Sequence, residues 1–126
     1  MAQKYIVDDI VMYKNKIHTI IDTLRLNNYE LSYVRHSVNQ AELSGVPLTH
    51  EILEKNGWYG ATHSKQSDDN TKILYKTFKR KGYPTIKVSQ DLKITCELSP
   101  FIVKLESVPD LQHLLFGLGL NSEIEV

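Results

Sequence analysis

The chain has 126 residues, 41% of them hydrophobic and 24% charged, which is typical of one globular domain and excludes global disorder. Fifteen basic residues balance fifteen acidic ones, so the zero net charge gives the whole chain no electrostatic attraction to nucleic acid or to a membrane surface. The sequence has no long apolar run and no signal peptide, which predicts a soluble cytoplasmic protein without a membrane partner. Cys96 is the only cysteine, so no internal disulfide is expected.

The first 36 residues predict a three-stranded antiparallel meander. Residues 6–13 and 17–24 are rich in β-forming side chains and flank a polar Lys-Asn-Lys turn, and a second turn leads into an alternating segment at 29–35. Short strands joined by tight turns are typical of an SH3-like barrel or a curled sheet. Residues 37–47 are polar and end in Gly and Pro, which predicts a connection.

A short helix is predicted over residues 49–56. Thr49 is a favourable N-cap, and Leu48 before the cap is placed to pack on Leu53. Asn56-Gly57 then provides a left-handed stop. A helix of about two turns is stable only when it docks on other structure.

An exposed polar loop and a second β-meander are predicted after this helix. The polar run at residues 63–70 predicts the loop. Strands are expected over 72–79, 85–89, 92–98 and 101–106. In the third of these strands apolar and polar residues alternate, which places Cys96 on the apolar face.

A second helix is predicted from Pro109 to the glycines at 117 and 119. Four leucines at helical spacing form a stripe that should be buried: Leu111, Leu114, Leu115 and Leu118. Residues 122–126 have the composition of a final edge strand. The sequence therefore predicts an α+β protein, mainly antiparallel sheet, with a short middle helix and a C-terminal amphipathic helix. We expect one compact domain over 1–126, with possible sub-lobes at 1–45 and 46–126.

Several segments resemble a known family. Residues 46–58 and 111–118, the trailing residues 123–126, and residues 9–13 are similar to segments of small uncharacterised proteins of Bacteroidetes genomes and their phages and mobile elements. The resemblance spans most of the chain and is strongest in these segments. It implies that the chain is encoded by a phage or mobile element. Because that family has no established activity, the resemblance assigns no catalytic or binding residue.

The sequence contains no recognisable catalytic or metal-binding motif. Residues 109–113 match half of the H-E-x-x-H motif of zinc peptidases, but Pro109 stands at the first histidine position and one histidine cannot hold the metal. Cys96 is expected to be a buried hydrophobe rather than a nucleophile. Asp8 and Asp9 would point to opposite faces of a strand. We predict a non-catalytic protein without cofactor or metal; an enzyme or metal site assembled from distant residues is the remaining alternative.

Local charge is less even than the net charge. Residues 71–93 carry seven basic side chains and one acidic one, whereas residues 94–126 carry one base and five acids. Aromatic residues interleave with the bases, as in proteins that hold a phosphate backbone and stack single-stranded bases. Two alternatives explain the same cluster of basic residues: the lysines cover solvent-exposed strand faces, or they bind an acidic protein partner. The candidate nucleic-acid-binding residues are Lys72, Lys76, Lys79, Arg80, Lys81, Lys87 and Lys93.

Seven tyrosines and one tryptophan supply many amphipathic rings. Trp58 follows the predicted helix stop and is expected to be partly exposed, so Trp58 and Tyr59 are the candidate partner-binding residues. The leading hypothesis is a protein-interaction or accessory module with an unidentified protein partner. The alternative is a nucleic-acid-binding small β-barrel that uses residues 72–93, which the zero net charge and the acidic C-terminal segment disfavour.

Overall fold

The computed structural model describes residues 3–66, 72–89, 93–98 and 101–126. Two antiparallel sheets of five strands and two α-helices confirm the predicted α+β class with mainly antiparallel sheet. The chain forms two compact units: a first unit of Met1–Pro47 and Ser107–Glu123, and a second unit of Leu48–Glu106 and Ile124–Val126. The single-domain organisation stays a prediction.

The first unit is built on a sheet with the spatial order β4-β3-β2-β1-β5. Its strands are β1 (Ile10–Tyr13), β2 (Lys16–Leu24), β3 (Asn28–Leu31), β4 (Val38–Asn39) and β5 (Ser44–Gly45). The strands β1, β2 and β3 form the predicted meander. The short strands β4 and β5 lie in the segment predicted as a connection, and they extend the meander on its two sides. The SH3-like character of this sheet stays a prediction.

Positive backbone φ angles explain why β1 and β3 are shorter than expected. Asp8 has a φ of 76° in the turn before β1, and Tyr33 has a φ of 61° in the turn after β3. A residue in the left-handed region cannot continue a strand. The predicted polar turn between β1 and β2 has the same backbone conformation at Lys14 and Asn15, as a two-residue hairpin turn requires.

Aromatic side chains fill the core of the first unit. The buried cluster consists of Tyr5, Val11, Tyr13, Ile20, Tyr29, Leu31 and Val38. The rings of Tyr5 and Tyr29 meet edge to face with centroids 5.8 Å apart. The Tyr29 hydroxyl donates to Gln40 Oε1 at 2.6 Å, so its polar end is hydrogen-bonded inside the core. Three of the seven tyrosines therefore contribute to folding of this unit.

The second unit contains a meander with the spatial order β10-β9-β8-β7-β6. Its strands are β6 (Tyr59–Gln66), β7 (Lys72–Lys79), β8 (Ile86–Ser89), β9 (Ile94–Leu98) and β10 (Phe101–Lys104). The last four confirm the predicted strands. The loop predicted from residue 63 is wrong as far as Gln66, because these residues pair with β7 along the sheet edge. Polar residues on an edge strand hid the alternation that marks a half-buried strand. Residues 67–70 lie outside the described residues.

One face of this second sheet is buried. It carries Phe78, Ile86, Val88, Ile94 and Cys96, each alternating with a more exposed neighbour. The predicted burial of Cys96 is confirmed. Desolvation raises the pKa of the Cys96 thiol, and the negative charge of Glu97 adds to that effect. A thiol held in its neutral form is a poor nucleophile.

The middle helix α1 (His50–Lys55) has the predicted cap. The Thr49 hydroxyl accepts a hydrogen bond from the backbone N–H of Ile52 at 3.3 Å. Leu48 and Leu53 are both buried. Gly57 follows the helix with a φ of 92°, and the Trp58 N–H returns to the Leu53 carbonyl at 3.0 Å. The sequence signals therefore describe both ends of this helix.

Thr49→Ala is expected to lower the free energy of unfolding by about 1 kcal/mol, because the first turn of α1 loses a side-chain acceptor. Thr49→Ser keeps the acceptor and should retain most of the stability. Thr85→Ala changes an exposed threonine outside the helices and serves as the control. Urea unfolding of the three variants measures the difference, and equal stability of Thr49→Ala and the parent would contradict the capping role.

The C-terminal helix α2 (Val108–Gly117) begins at Ser107, whose backbone N–H donates to Asp110 Oδ2 at 3.1 Å. The leucine stripe is only partly buried: Leu111 and Leu115 lie in the core and Leu114 is half-buried, but Leu118 is 44% exposed. Leu118 is exposed because the helix has already ended before it. The strand expected at residues 122–126 is absent from the described residues. Neither helix in the described part of the chain has the length and apolar character to cross a membrane.

Candidate nucleic-acid interface

The two predicted partner-binding residues point in opposite directions. Trp58 is only 1% exposed, so its expected partial exposure is wrong. Its indole N–H donates to the Pro84 carbonyl at 3.5 Å, and its ring meets Tyr83 edge to face with centroids 5.3 Å apart. Tyr59 is 81% exposed, because successive residues of an extended chain alternate between faces. Tyr59 alone of the pair is available to a partner.

Arg80 packs on these aromatic rings. Its guanidinium carbon lies 4.0 Å from the ring centroid of Tyr83 and 5.0 Å from that of Trp58. The side chain is half-buried, although its neighbours Lys79 and Lys81 are exposed. A desolvated guanidinium over two rings stabilises the fold by cation–π attraction. This makes Arg80 a structural residue.

Strand register separates the lysines of β7 and β8 into two groups. Lys79 and Lys87 lie on the face opposite to the buried Phe78 and Ile86. Lys76 shares the parity of Phe78 and is exposed at the other side of the sheet. These lysines therefore do not form one continuous patch.

The remaining predicted basic residues lie outside both groups. Lys81 is exposed in the turn after β7, and Lys93 is exposed just before β9. The side chain of Lys72 lies outside the described part of the chain. The seven basic residues of the sequence prediction are therefore distributed over several places, and two of them share a face with aromatic rings.

The solvent-accessible face of the second sheet is the candidate interface. Residues directly opposite one another on neighbouring strands share a face, and the register links Tyr59 to Lys79 and His63 to Tyr75. A longer row crosses all five strands through Thr77, Lys87 and Thr95. We call this the open face and define it by Tyr59, Ala61, His63, Tyr75, Thr77, Lys79, Lys87, Ser89, Thr95, Glu97, Ile102 and Lys104. Sequence reasoning missed His63 because β6 was predicted as a loop, and it missed Lys104 because the residue stands alone in an acidic segment.

An ordered stack of side chains lies on the open face. The rings of His63 and Tyr75 stack with centroids 5.2 Å apart and an interplanar angle of 20°. His63 Nε2 is 2.8 Å from Thr77 Oγ1, which fixes the imidazole in plane. Lys87 Nζ lies 4.6 Å from the Tyr75 ring centroid. The ring of Tyr75 thus contacts an imidazole and an ammonium group, while His63 and Tyr59 are exposed to solvent.

The charge of the open face is positive. Lys79, Lys87 and Lys104 lie on it, and Glu97 is its one acidic residue among those the structure describes. Of the five acids in the C-terminal part of the sequence, Asp110 and Glu123 belong to the first unit, and Glu97, Glu106 and Glu125 belong to the second. The second unit therefore keeps three of the acids on which the sequence-based objection rests, and Glu97 is the one that strand register places on the open face.

Comparisons of the sequence with protein-family models and with curated proteins, and of the structure with solved structures, give no match. Over the described ranges, no three His, Cys, Asp or Glu side chains are grouped closely enough to hold a metal ion.

A buried carboxylate in the first unit was missed by the sequence analysis. Asp9 Oδ2 accepts from the Ile6 N–H at 3.0 Å and is hydrogen-bonded to His113 Nε2 at 2.5 Å. Desolvation raises the pKa of the Asp9 carboxyl, and the hydrogen bond from Ile6 and the contact with His113 oppose that rise.

The neighbouring Gln112 shows that this cluster is structural. Gln112 Oε1 accepts from the Ile10 N–H and Gln112 Nε2 donates to the Asp8 carbonyl, both at 3.0 Å. The helix α2 is thereby fastened to the start of β1 by three polar side-chain contacts. Each group in the cluster has a partner, so its arrangement is explained by the folding of the first unit.

Proposed function

We propose that this protein binds single-stranded nucleic acid on the open face of its second sheet. The observation that carries the proposal is the ordered stack of His63, Tyr75 and Lys87 beside the exposed ring of Tyr59. An antiparallel sheet that presents aromatic rings beside lysines suits unpaired bases, since every base has a face that stacks. The phosphates then contact the surrounding ammonium groups.

The positions of the side chains favour this function over the protein-binding hypothesis. The protein-binding hypothesis was based mainly on Trp58. Because the ring of Trp58 is buried, it cannot contact a partner. The tyrosine that is exposed, Tyr59, lies opposite Lys79 on the neighbouring strand. Anchors of protein interfaces tend to lie in places depleted of lysine, whereas phosphate contacts need it. The mixture of rings and lysines is therefore better matched to a polyanion with aromatic bases.

Fluorescence anisotropy with a labelled single-stranded oligonucleotide tests the proposal. We expect binding by the intact chain at low salt that weakens as salt rises, with a slope in the log–log plot of about 0.7 for each phosphate contact. Tyr59→Ala should weaken binding by about 5- to 150-fold, because a base–aromatic stack contributes about 1–3 kcal/mol. Phe116→Ala removes another exposed ring, from the first unit, and should leave affinity unchanged.

A charge reversal on one strand provides the matched comparison. Lys79→Glu and Lys76→Glu make the same change on β7, but only Lys79 lies on the open face. Lys79→Glu should lower affinity and reduce the salt slope, and Lys76→Glu should do neither. Equal effects of the two reversals, or the absence of any binding by the parent at low salt, would overturn the proposal.

A protein partner remains the second candidate because of the edge strand β10. Phe101 and Ile102 are 70% and 68% exposed at the edge of the sheet, where an extended peptide can add a strand. Ile102→Lys should then abolish capture of a specific protein from a lysate of the source organism, identified by mass spectrometry. Capture of the same proteins by the parent and by this variant would contradict a docking role for β10.

A further inference from the structure

A second charged surface lies in the first unit. It is a cleft of about 310 Å³, near the lower end of the range for small-ligand pockets. The end of the β1–β2 hairpin forms one wall, and the segment that follows β3 forms the other. We call it the cationic cleft and define it by Tyr13, Lys14, Lys16, His18, Arg35 and His36.

The lining of the cationic cleft carries charge of one sign. Lys14, Lys16 and Arg35 bring three permanent positive charges, and no carboxylate lines the cleft. Within the described residues none of the three forms an ion pair with an acidic side chain. Like charges held close together in a fold repel one another, and a bound anion converts that repulsion into attraction.

Two imidazoles are held in place at the wall of this cleft. His18 Nδ1 lies 2.8 Å from the Ser32 carbonyl, which only accepts, so Nδ1 carries the proton and Nε2 remains for a ligand. His36 Nε2 is 3.3 Å from the hydroxyl of Tyr13, a buried core residue. Both rings meet Tyr13 edge to face, with centroids 5.9 and 6.3 Å away. The two imidazoles of the cleft are therefore oriented before any ligand arrives.

Tyr33, which also lines the cleft, has no role in folding that the structure reveals. Its side chain is 100% exposed and its backbone has a φ of 61°. A bulky residue in the left-handed region is strained, and an exposed ring returns no burial energy for that strain. Glycine or asparagine would suit this turn better. A ring presented at the mouth of a positively charged cleft is suited to stacking on a planar ligand.

We propose that the cationic cleft binds a phosphorylated nucleoside. Lys14, Lys16 and Arg35 hold the phosphate, and the base stacks on Tyr33. Arginine and lysine recognise phosphate by charge-assisted hydrogen bonds, and the arginine fork can engage two oxygens at once. This site shares no residue with the open face and extends the proposed function to a second ligand.

Isothermal titration of the full chain with adenosine 5′-monophosphate at low salt tests the site. We expect binding that weakens with added salt, and adenosine should bind at least about 10-fold more weakly because it lacks the phosphate. An oligonucleotide with a 5′-phosphate, compared with the same oligonucleotide with a 5′-hydroxyl, separates the two sources of the ligand. A preference for the phosphorylated end assigns the cleft to nucleic-acid ends, and its absence assigns the cleft to free nucleotides.

Two arginines give a matched pair of variants. Arg35→Gln should weaken binding of the mononucleotide by about 10- to 100-fold, whereas Arg25→Gln, an exposed arginine of the same unit outside the cleft, should leave binding unchanged. Lys16→Gln provides a second cleft variant if Arg35→Gln fails to fold. Tyr33→Ala should weaken the mononucleotide more than inorganic phosphate, because phosphate has no base to stack.

The outcomes separate this site from the open face. Cleft variants should leave binding of the 5′-hydroxyl oligonucleotide unchanged, and Tyr59→Ala should leave binding of the mononucleotide unchanged. The proposal is overturned if neither the mononucleotide nor the 5′-phosphorylated oligonucleotide gains affinity over its unphosphorylated counterpart. It is equally overturned if Arg25→Gln weakens binding as much as Arg35→Gln does.

Discussion

Leu115→Ala is expected to lower the free energy of unfolding by about 2–5 kcal/mol, a large share of the 5–15 kcal/mol typical of a domain. Leu115 is 0% exposed and lies on the face of α2 that also carries the buried Leu111. Truncation removes apolar contacts and leaves a cavity that the surrounding core fills only in part. Urea unfolding, with the slope of the transition checked for constancy, measures the loss.

Leu118→Ala is the matched control for this prediction. It removes the same atoms from the same stripe, but Leu118 is 44% exposed at the end of the helix. Its effect should stay within about 0.5 kcal/mol, as is usual for surface positions. If the two variants lost equal stability, or if Leu115→Ala matched the parent, the burial of one side of α2 would be contradicted.

Local sequence signals predicted the parts of the fold that local chemistry determines. The N-cap at Thr49 and the glycine stop at Gly57 involve neighbours in the chain, and both were found at the predicted positions. The alternation in β9 likewise identified the buried face with Cys96. Edge strand β6 was missed because few of its side chains are buried, so no period of two distinguishes it from a loop.

The candidate sites depend on pairings that one sequence does not specify. His63 meets Tyr75 only because β6 and β7 pair in one particular register, and a shift by one residue would place them on opposite faces. The burial of Trp58 likewise depends on contacts that one sequence does not specify. Its position after a helix stop was correctly identified, but its burial depends on Arg80 and Tyr83, which lie more than twenty residues further along the chain.

His113→Ala is expected to destabilise the protein by about 1.5–3 kcal/mol at neutral pH, because the Asp9 carboxylate loses a hydrogen-bonded partner while it remains buried. The value lies below that of a fully buried pair, since the His113 side chain is 37% exposed and solvent screens part of the attraction. Thermal and urea unfolding of the variant and the parent provide the measurement.

The sign of the pH dependence follows from the raised pKa of Asp9. Between the ordinary carboxyl pKa, near 4, and the raised value in the folded state, the unfolded chain has released a proton that the folded chain retains. The stabilisation that comes from the proton retained on Asp9 is therefore complete below the ordinary pKa, and it is lost as pH rises through the raised pKa of the folded state. Removing His113 takes away an interaction that lowers the pKa of Asp9, so the loss should extend to higher pH.

The exposed pair of His50 and Glu51 is the control for this effect. The His50 side chain is 38% exposed, almost the same as His113, but the Glu51 side chain is 73% exposed whereas that of Asp9 is 2% exposed. His50→Ala should therefore leave stability and its pH dependence unchanged within error.

Asp9→Asn in the His113→Ala background should remove the additional pH dependence, because no carboxyl remains to titrate at this position. If the destabilisation by His113→Ala were as large below pH 4 as at neutral pH, the buried charge of Asp9 would not be its cause, and loss of packing by the imidazole would explain it instead.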